Sequence, residues 1–310
     1  MNNNRVENRV EYSEHIGVMQ NEVNSIINKI PDGVFIDATY GYGSHFKIIK
    51  KNFTNLQLIG FDRDSESILN SKDNVHKLNF SEIPNYLKSQ NINKISGIFY
   101  DFGVSSHQID NPGRGFSYMK DGPLDMRMDS SLLISANDLV NNYSYEDLLD
   151  IFYKFSGEKD SNLIARNIIE NRPIISTLEL KEVIKSSLKY KNPNYLMSAV
   201  KRVFQAIRIY VNKEISEIED SLSGVADFIM PNGVIICISY HSLEDRVVKS
   251  FFSNLTKGCT CDPKFAICIC NNQNKFEYGD DRKFLPTKSE VNTNKRSSSA
   301  ILRYVVKNEN

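Results

Sequence analysis

Val34-Phe35-Ile36-Asp37-Ala38-Thr39-Tyr40-Gly41-Tyr42-Gly43-Ser44 is the stretch on which the fold turns. It opens as a compact β-type run, reaches an acidic residue, bends through Gly-x-Gly and passes into a helical pattern over residues 44–52. Glycines at a strand end let the backbone bend sharply and approach a ligand closely, and the helix that follows offers unpaired N–H groups. Working outward, residues 56–61 form a second β-type run ending at Asp62. Residues 95–100 form a third, ending at Asp101-Phe102-Gly103. Helical stretches cover residues 18–29 and 64–71. Strands separated by helices of this length predict right-handed parallel crossovers and a doubly wound α/β sheet. Ligands bind such sheets at the carboxyl ends of the strands, which is where all three runs place Gly and Asp.

After Gly103 the pattern becomes polar and turn-rich, with Asn111-Pro112-Gly113-Arg114-Gly115 and Asp121-Gly122-Pro123 predicting a long loop. Residues 135–190 are helical in period. Leu148, Leu149, Phe152 and Phe155 share one face, and Ser176-Thr177-Leu178-Glu179 matches a capping box. Val200, Val203, Phe204, Ile207, Val211, Ile215, Ile218 and Leu222 then recur at helical spacing, leaving Arg202, Gln205, Arg208 and Asn212 on a polar, partly basic face. Pro231-Asn232-Gly233 predicts a turn, residues 234–239 a buried strand, 242–252 a helix and 300–306 a closing strand. The chain therefore divides into a sheet domain over residues 1–108 and 200–310 and an inserted loop and helical subdomain over 109–199.

The 310 residues include 38 Lys+Arg and 38 Asp+Glu, and 40% are hydrophobic, an ordinary globular composition. Apolar runs such as residues 234–238 fall far short of the ~20 residues that a membrane-spanning helix needs. The polar first residues lack the pattern of an export signal, so a cytoplasmic protein with no membrane partner is expected. Balanced charge argues against gripping nucleic acid by bulk positive charge and leaves local patches as the route. Cys237, Cys259, Cys261, Cys268 and Cys270 make an odd count, which favours reduced thiols over disulfides. The two Cys-x-Cys pairs are spaced more tightly than zinc sites usually are; a structural metal is the alternative reading, and no metal is expected at the functional site.

The third glycine of the dinucleotide fingerprint is absent, because Gly43 is followed by Ser44-His45-Phe46. Asp62, about twenty residues past the turn, is placed to accept the ribose hydroxyls of a nucleoside. An adenosine ligand held without a pyrophosphate fingerprint points to S-adenosylmethionine. Here a resemblance becomes specific. His15-Ile16-Gly17-Val18-Met19, residues 37–45, Gly60-Phe61-Asp62-Arg63-Asp64, Asp101-Phe102-Gly103-Val104-Ser105-Ser106-His107-Gln108 and Arg114-Gly115-Phe116-Ser117-Tyr118-Met119 resemble the bacterial 16S rRNA (cytosine-N4)-methyltransferase family. So do Gly122-Pro123-Leu124-Asp125-Met126-Arg127-Met128, Phe204-Gln205-Ala206-Ile207-Arg208, Ser239-Tyr240-His241-Ser242-Leu243-Glu244-Asp245-Arg246 and Ser297-Ser298-Ser299-Ala300-Ile301-Leu302-Arg303. The segments follow in order along nearly the whole chain.

The resemblance implies a class I S-adenosylmethionine-dependent methyltransferase sheet, Rossmann-like, with an inserted helical subdomain for substrate recognition. It implies methyl transfer to the exocyclic N4 of a decoding-centre cytosine, with 16S rRNA in the small ribosomal subunit as partner and no obligate protein partner. Carried over residue by residue, cofactor contacts fall on Gly43, Ser44, His45, Asp62, Phe80, Asp101 and Gln108, with Asp101 also the candidate catalytic residue. Arg114, Asp125, Arg127, Arg208 and His241 are candidates on the substrate side, although Asp125 with Arg127 reads equally as a structural ion pair. Ser242 is expected to cap a helix whose first turn carries Glu244 and Asp245. Further rRNA contacts are expected from Arg202, Lys295, Arg296 and Arg303, while Lys283 and Lys288, offered by the same basic run, read rather as a solvated face. The chain departs from the usual family pattern with Gly17 for Pro, Tyr40 for Phe, Ser44 for Gly, Phe102 for Leu and Tyr240 for Phe. The Pro-Pro-aromatic clamp of many amino-methyltransferases is missing after Asp101, which disfavours a DNA methyltransferase. A non-catalytic assembly factor that keeps the cofactor as a structural ligand is the competitor from another class.

Overall fold

The computed structural model describes residues 17–69, 71–258 and 274–309. His15, Ile16 and the group Cys259, Cys261, Cys268 and Cys270 lie outside the described residues. Seven strands form one sheet: β1 (Gly33–Asp37), β2 (Leu56–Asp62), β3 (Val75–Lys77), β4 (Ile95–Asp101), β5 (Ile229–Ser239), β6 (Phe276–Tyr278) and β7 (Ile301–Lys307). Their order is β3-β2-β1-β4-β5-β7-β6. The first five in this order pair in parallel, as expected of a doubly wound sheet. The last two do not, since β7 runs antiparallel to both β5 and β6.

The central strand β4 reads Ile-Ser-Gly-Ile-Phe-Tyr-Asp and is buried up to its final Asp101, the near-continuous burial of a parallel strand covered on both faces. Gly97 has a packing reason, because a Cβ there would lie 2.8 Å from the Phe35 ring and 2.9 Å from Val234. The predicted turn at Pro231-Asn232-Gly233 is instead an irregularity inside β5. The register against β4 shifts between Ile95 and Gly97, and Asn232 takes the left-handed φ of 61° that lets the strand continue past the extra residues.

Successive strand residues point to opposite faces, and each face is covered. Phe35, Phe99 and Ile236 pack with Val23, Ile26 and Ile27 of α1 (Gln20–Ile27) and Ile49 of α2 (Ser44–Asn52). After α3 (Ser65–Ile68) comes α4 (Ile83–Ser89), on the other face, followed by α5 (Ser106–Asp110). The inserted helices are α6 (Ala136–Asn142), α7 (Tyr145–Ser156), α8 (Ser161–Glu170), α9 (Thr177–Ser187) and α10 (Pro193–Asn212). The chain then passes through α11 (Glu214–Val225), α12 (Ser242–Leu255) and α13 (Lys288–Thr293). Ile36, Ile98 and Ile235 meet Leu87 of α4, Leu222 of α11 and Phe252 of α12.

The insert has a core of its own, in which Leu148, Phe152, Ile164, Ile168, Leu180 and Ile184 are fully buried. Helix α10 crosses the predicted boundary between residues 199 and 200. Its buried Val203, Ile207 and Val211 belong to this helical core, which therefore reaches Val211. Ser135 with Asp138 and Ser144 with Asp147 close capping boxes at α6 and α7. The predicted box at Ser176 is only half formed: Ser176 accepts from the Glu179 amide, while Glu179 accepts from the Ile175 amide at 2.8 Å.

Candidate cofactor and substrate site

The adjacency β2-β1-β4 sets Asp62, Asp37 and Asp101 side by side at the carboxyl edge of the sheet. The chain leaves β1 toward one side and builds β4 on the other, so this edge is the topological switch point of the fold. Asp37 is buried and its Oδ1 accepts from the Thr39 amide at 3.1 Å, while Thr39 Oγ1 accepts from the Asp101 amide at 2.7 Å. Asp62 accepts from the Gly41 amide at 2.6 Å and from the Asp64 amide at 2.8 Å. Asp101 Oδ1 accepts from the Tyr240 hydroxyl at 2.7 Å.

Burial pushes Asp37 up to about 8, and the nearby Asp101 and Asp62 carboxylates add to it. Asp62 rises to about 6, with burial outweighing its two amide hydrogen bonds. Burial carries Asp101 to about 7 against the Tyr240 hydrogen bond, with Glu244 adding to the rise. Three carboxyl groups that hold protons this tightly mark an edge suited to a ligand with hydrogen-bond donors and a positive charge.

The turn after β1 supplies the other half of the site. Gly41 and Gly43 have φ of 55° and 78°, both left-handed. Gly43 is the N-cap of α2 and brings no side chain to it, so the first-turn amides lack a side-chain cap. Ser44 begins that helix and is not among the positive-φ residues, so the change from Gly to Ser leaves its amide in helical geometry. His45 is buried, and neither of its ring nitrogens has a hydrogen-bond partner among the described residues. Its Nε2 lies 3.7 Å from Asp101 Oδ2, and burial pushes it down to about 4, which leaves a neutral ring. A Cβ on residue 17 would fall 2.5 Å from His45 Nε2. Gly17, where the resemblance has Pro, therefore leaves room for this imidazole. An orphaned buried ring, an uncapped helix start and three carboxyl groups together fit a polar, partly cationic ligand such as an amino-acid-bearing nucleoside.

Phe80 begins the 3-10 turn Phe80–Glu82 and is half-buried, edge-on to Tyr100 and Phe102 at 5.9 Å each, an apolar wall on the Asp62 side. Gln108 is buried and committed within the protein: Nε2 donates to Asp64 Oδ2 at 2.7 Å, and Oε1 accepts from the Ser105 amide at 3.0 Å. Of the described candidates, Gly43, Ser44, His45 and Asp101 are brought together, with Asp62 beside them across Gly41.

The substrate-side candidates are placed differently. Arg114 donates to Asp64 at 2.8 Å, to Glu66 at 2.9 Å and to the carbonyls of Arg127 and Met128. Arg127 grips Asp125 with two 2.8 Å bonds and reaches the carbonyls of Ser130 and Leu132. These three residues hold the loop, and the ion-pair reading of Asp125 and Arg127 is the observed one. Arg208 is paired bidentately with Glu214 at 2.8 Å and comes within 3.4 Å of His241 Nε2. His241, not Ser242, is the N-cap of α12: its Nδ1 accepts from the Glu244 amide, and Glu244 accepts from the amides of Tyr240 and His241. An imidazole nitrogen reaches the N3 amide as a short polar side chain would, which leaves Ser242 as the first residue of the helix. Glu214, His241 and Glu244 bring ligand-type atoms within 4.8 Å of one another, and the Arg208 guanidinium is the cation among them.

Several predicted rRNA contacts are also committed. Arg202 pairs with buried Glu158, Arg296 with Asp110 and Arg303 with Asp245. Lys283, Lys288 and Lys295 remain exposed.

A model of the MraW methylase family matches residues 12–308. The chain belongs to that family. Ribosomal RNA small subunit methyltransferase H of Finegoldia magna is 40% identical over 308 residues, covering 95% of this chain and 98% of the relative. The protein of the same name from Halothermothrix orenii is 39% identical over 302 residues, covering 94% and 97%.

In MraW-family terms the sheet is that of a class I methyltransferase, and the residue that sequence reading missed is Asn212. It sits at the end of α10, fully buried, and was expected on a polar face. Its Nδ2 donates to the Met126 carbonyl at 2.7 Å and its Oδ1 accepts from the Met128 amide at 2.7 Å. The run over residues 122–128 is thus held by both Asn212 and Arg114, with Met126 at a left-handed φ of 57°. No period marks a buried Asn; the only local signal is its place next to Val211 at a helix end. Among the described residues no helix is long and apolar enough to cross a membrane.

Proposed function

We propose that this protein transfers the methyl group of S-adenosylmethionine to the exocyclic N4 of a decoding-centre cytosine in 16S rRNA, acting on the small ribosomal subunit. The observation that carries the reading is the row of buried Asp37 and half-buried Asp62 and Asp101 beside a left-handed Gly-x-Gly turn, in a chain of the MraW methylase family. The names of its relatives support small-subunit rRNA as the substrate.

The uncapped start of α2, at Gly43, Ser44 and His45, suits the carboxylate of the cofactor's amino-acid end, because helix N-termini attract anions. Asp62 suits the ribose hydroxyls, since each oxygen already held by one amide keeps a second lone pair. Phe80 offers a face to the adenine ring. Gln108 acts through Asp64, which it and Arg114 hold in place. When bound, the cofactor supplies an electrophilic methyl on a sulfonium.

Cytosine N4 is a poor nucleophile because its lone pair is delocalised into the ring, so the protein must align it and accept from its N–H groups. Asp101 offers Oδ2 for that purpose or for the cofactor's amine, its Oδ1 being taken by Tyr240. Alkylation acidifies the amine strongly, so a weak acceptor suffices to receive its proton. The helical insert and the loop braced by Arg114, Asp125 and Arg127 form the substrate-recognition part of this reading. With Arg202, Arg296 and Arg303 paired internally, recognition of an assembled subunit surface fits better than electrostatic grip on naked RNA.

The test is incubation with methyl-labelled S-adenosylmethionine and, in parallel, unmethylated small subunits, deproteinised rRNA and DNA, with nucleoside mass spectrometry of each. N4-methylcytidine confined to the subunit sample is the expected result. Cofactor binding with methylation of none of them would replace the enzyme with an assembly factor.

A further inference from the structure

We infer that Tyr240 is a positioning residue for Asp101: its hydroxyl fixes one carboxylate oxygen and thereby keeps the other turned to His45 and available as an acceptor. The inference rests on the methyl-transfer reading for its consequence, though not for its geometry.

The phenol lies just past β5 and donates to Asp101 Oδ1 at 2.7 Å, while Asp101 Oδ2 stands 3.7 Å from His45 Nε2. Each element packed around this carboxyl contributes its own groups. Strand β1 brings Asp37, whose proton affinity Asp101 raises. Helix α2 brings His45, kept neutral by burial. The start of α12 brings Glu244, a further negative charge, and α13 brings Glu290, which acts on Tyr240 and accepts from the Met19 amide at 2.7 Å. Thr39 takes the Asp101 backbone amide and leaves the carboxyl alone. None of these groups is a cation. Among the described residues, Tyr240 makes the one side-chain hydrogen bond to this carboxylate, in a setting where burial and the Glu244 carboxylate disfavour its charged form.

Tyr240 is suited to the task. Burial and the adjoining Asp101 and Glu244 raise the phenol well above its ordinary value, so it stays a donor through the whole range in which Asp101 titrates. Because the resemblance has Phe at this position, the hydroxyl is an addition on a ring the fold already accommodates. Tyr240→Phe therefore removes the hydrogen bond and leaves the packing.

The experiment compares the wild type with Tyr240→Phe, both carrying aspartate labelled with carbon-13 in the side-chain carboxyl. The Asp101 signal is assigned with Asp101→Asn, and its titration is followed by NMR on the protein without ligand. S-adenosylmethionine affinity and single-turnover methylation of unmethylated small subunits are measured over the same range, between about pH 5 and 9. A hydrogen bond to a charged group corresponds to a rise of about one to two pH units in the Asp101 midpoint of the variant. The acid limb of the rate should move up with it. The variant then methylates about tenfold or more slowly below the limb and converges with the wild type above it. An unchanged Asp101 midpoint overturns the inference, and so does a midpoint that moves while the acid limb stays where it was. If the wild type methylates nothing, the methyl-transfer reading falls, and the carboxyl titration alone upholds or overturns the positioning.

Discussion

Asp37 holds its proton far more tightly in the folded chain than in an unfolded one. Burial, with Asp101 and Asp62 nearby, lifts it from 3.8 to about 8. A folded-state value raised in this way gives stability that is fully present below 3.8 and is lost as the pH rises through about 8. Asp37→Asn keeps an oxygen for the Thr39 amide and removes the titration. Melting temperatures should therefore diverge with pH, the variant gaining on the wild type between about pH 4 and 8; a difference that stays flat across that interval would locate the proton elsewhere. The three aspartates were legible because each closes a β-type run, a local pattern. The commitments of Gln108 and Arg114 were not, since both end on Asp64, 44 and 50 positions away, and nothing local announces such a partner. Gly17 is the same case: its reason is the ring of His45, which meets it only in space.

The loop over residues 122–128 and the end of α10 form one structural unit through Asn212. Replacing Asn212 with Ala strands the Met126 carbonyl and the Met128 amide in a buried place, at about 1–3 kcal/mol for each group left unpaired. Urea unfolding of Asn212→Ala should show a loss of about 2–6 kcal/mol with an unchanged m-value. Methylation should fall further than stability explains, because the loop carries the substrate-recognition reading. Strands long enough to show a period, β1, β2, β4, β5 and β7, could all be read from residues alone. The two missed, β3 and β6, have three residues each, less than two full alternations. The Pro231-Asn232-Gly233 segment carried every local sign of a turn, and it bends through the left-handed Asn232 between Ile229 and Val234, the residues of β5 that resume pairing with β4 on either side of it.

Arg208, Glu214, His241 and Glu244 tie α10, which packs in the helical core, to α11 and α12, which cover the sheet. Burial alone would raise Glu244. The hydrogen bond and charge of His241 and the charge of Arg208 outweigh it and hold the carboxyl below 4.5. Its contribution to stability is thus present above 4.5 and is lost as the pH falls through the folded value. Glu244→Ala removes the carboxylate that faces His241 while Arg208 keeps Glu214, and should cost about 1–3 kcal/mol, measured by urea unfolding at neutral pH. Lys29→Ala, which breaks an exposed pair with Asp280, should leave the unfolding midpoint unchanged and serves as the control. The double winding of the sheet and the presence of a helical insert were readable from alternating patterns. The seam between them was not, because α10 supplies apolar residues to one core and Arg208 to the joint with the other. The same sheet has a bearing on how these molecules behave toward one another. Its outermost strands in the described structure, β3 and β6, are its shortest, so each flank exposes only a few unpaired backbone groups. A second copy arriving at either flank finds too short a template to extend, which protects a concentrated solution of this chain from aggregating by strand addition.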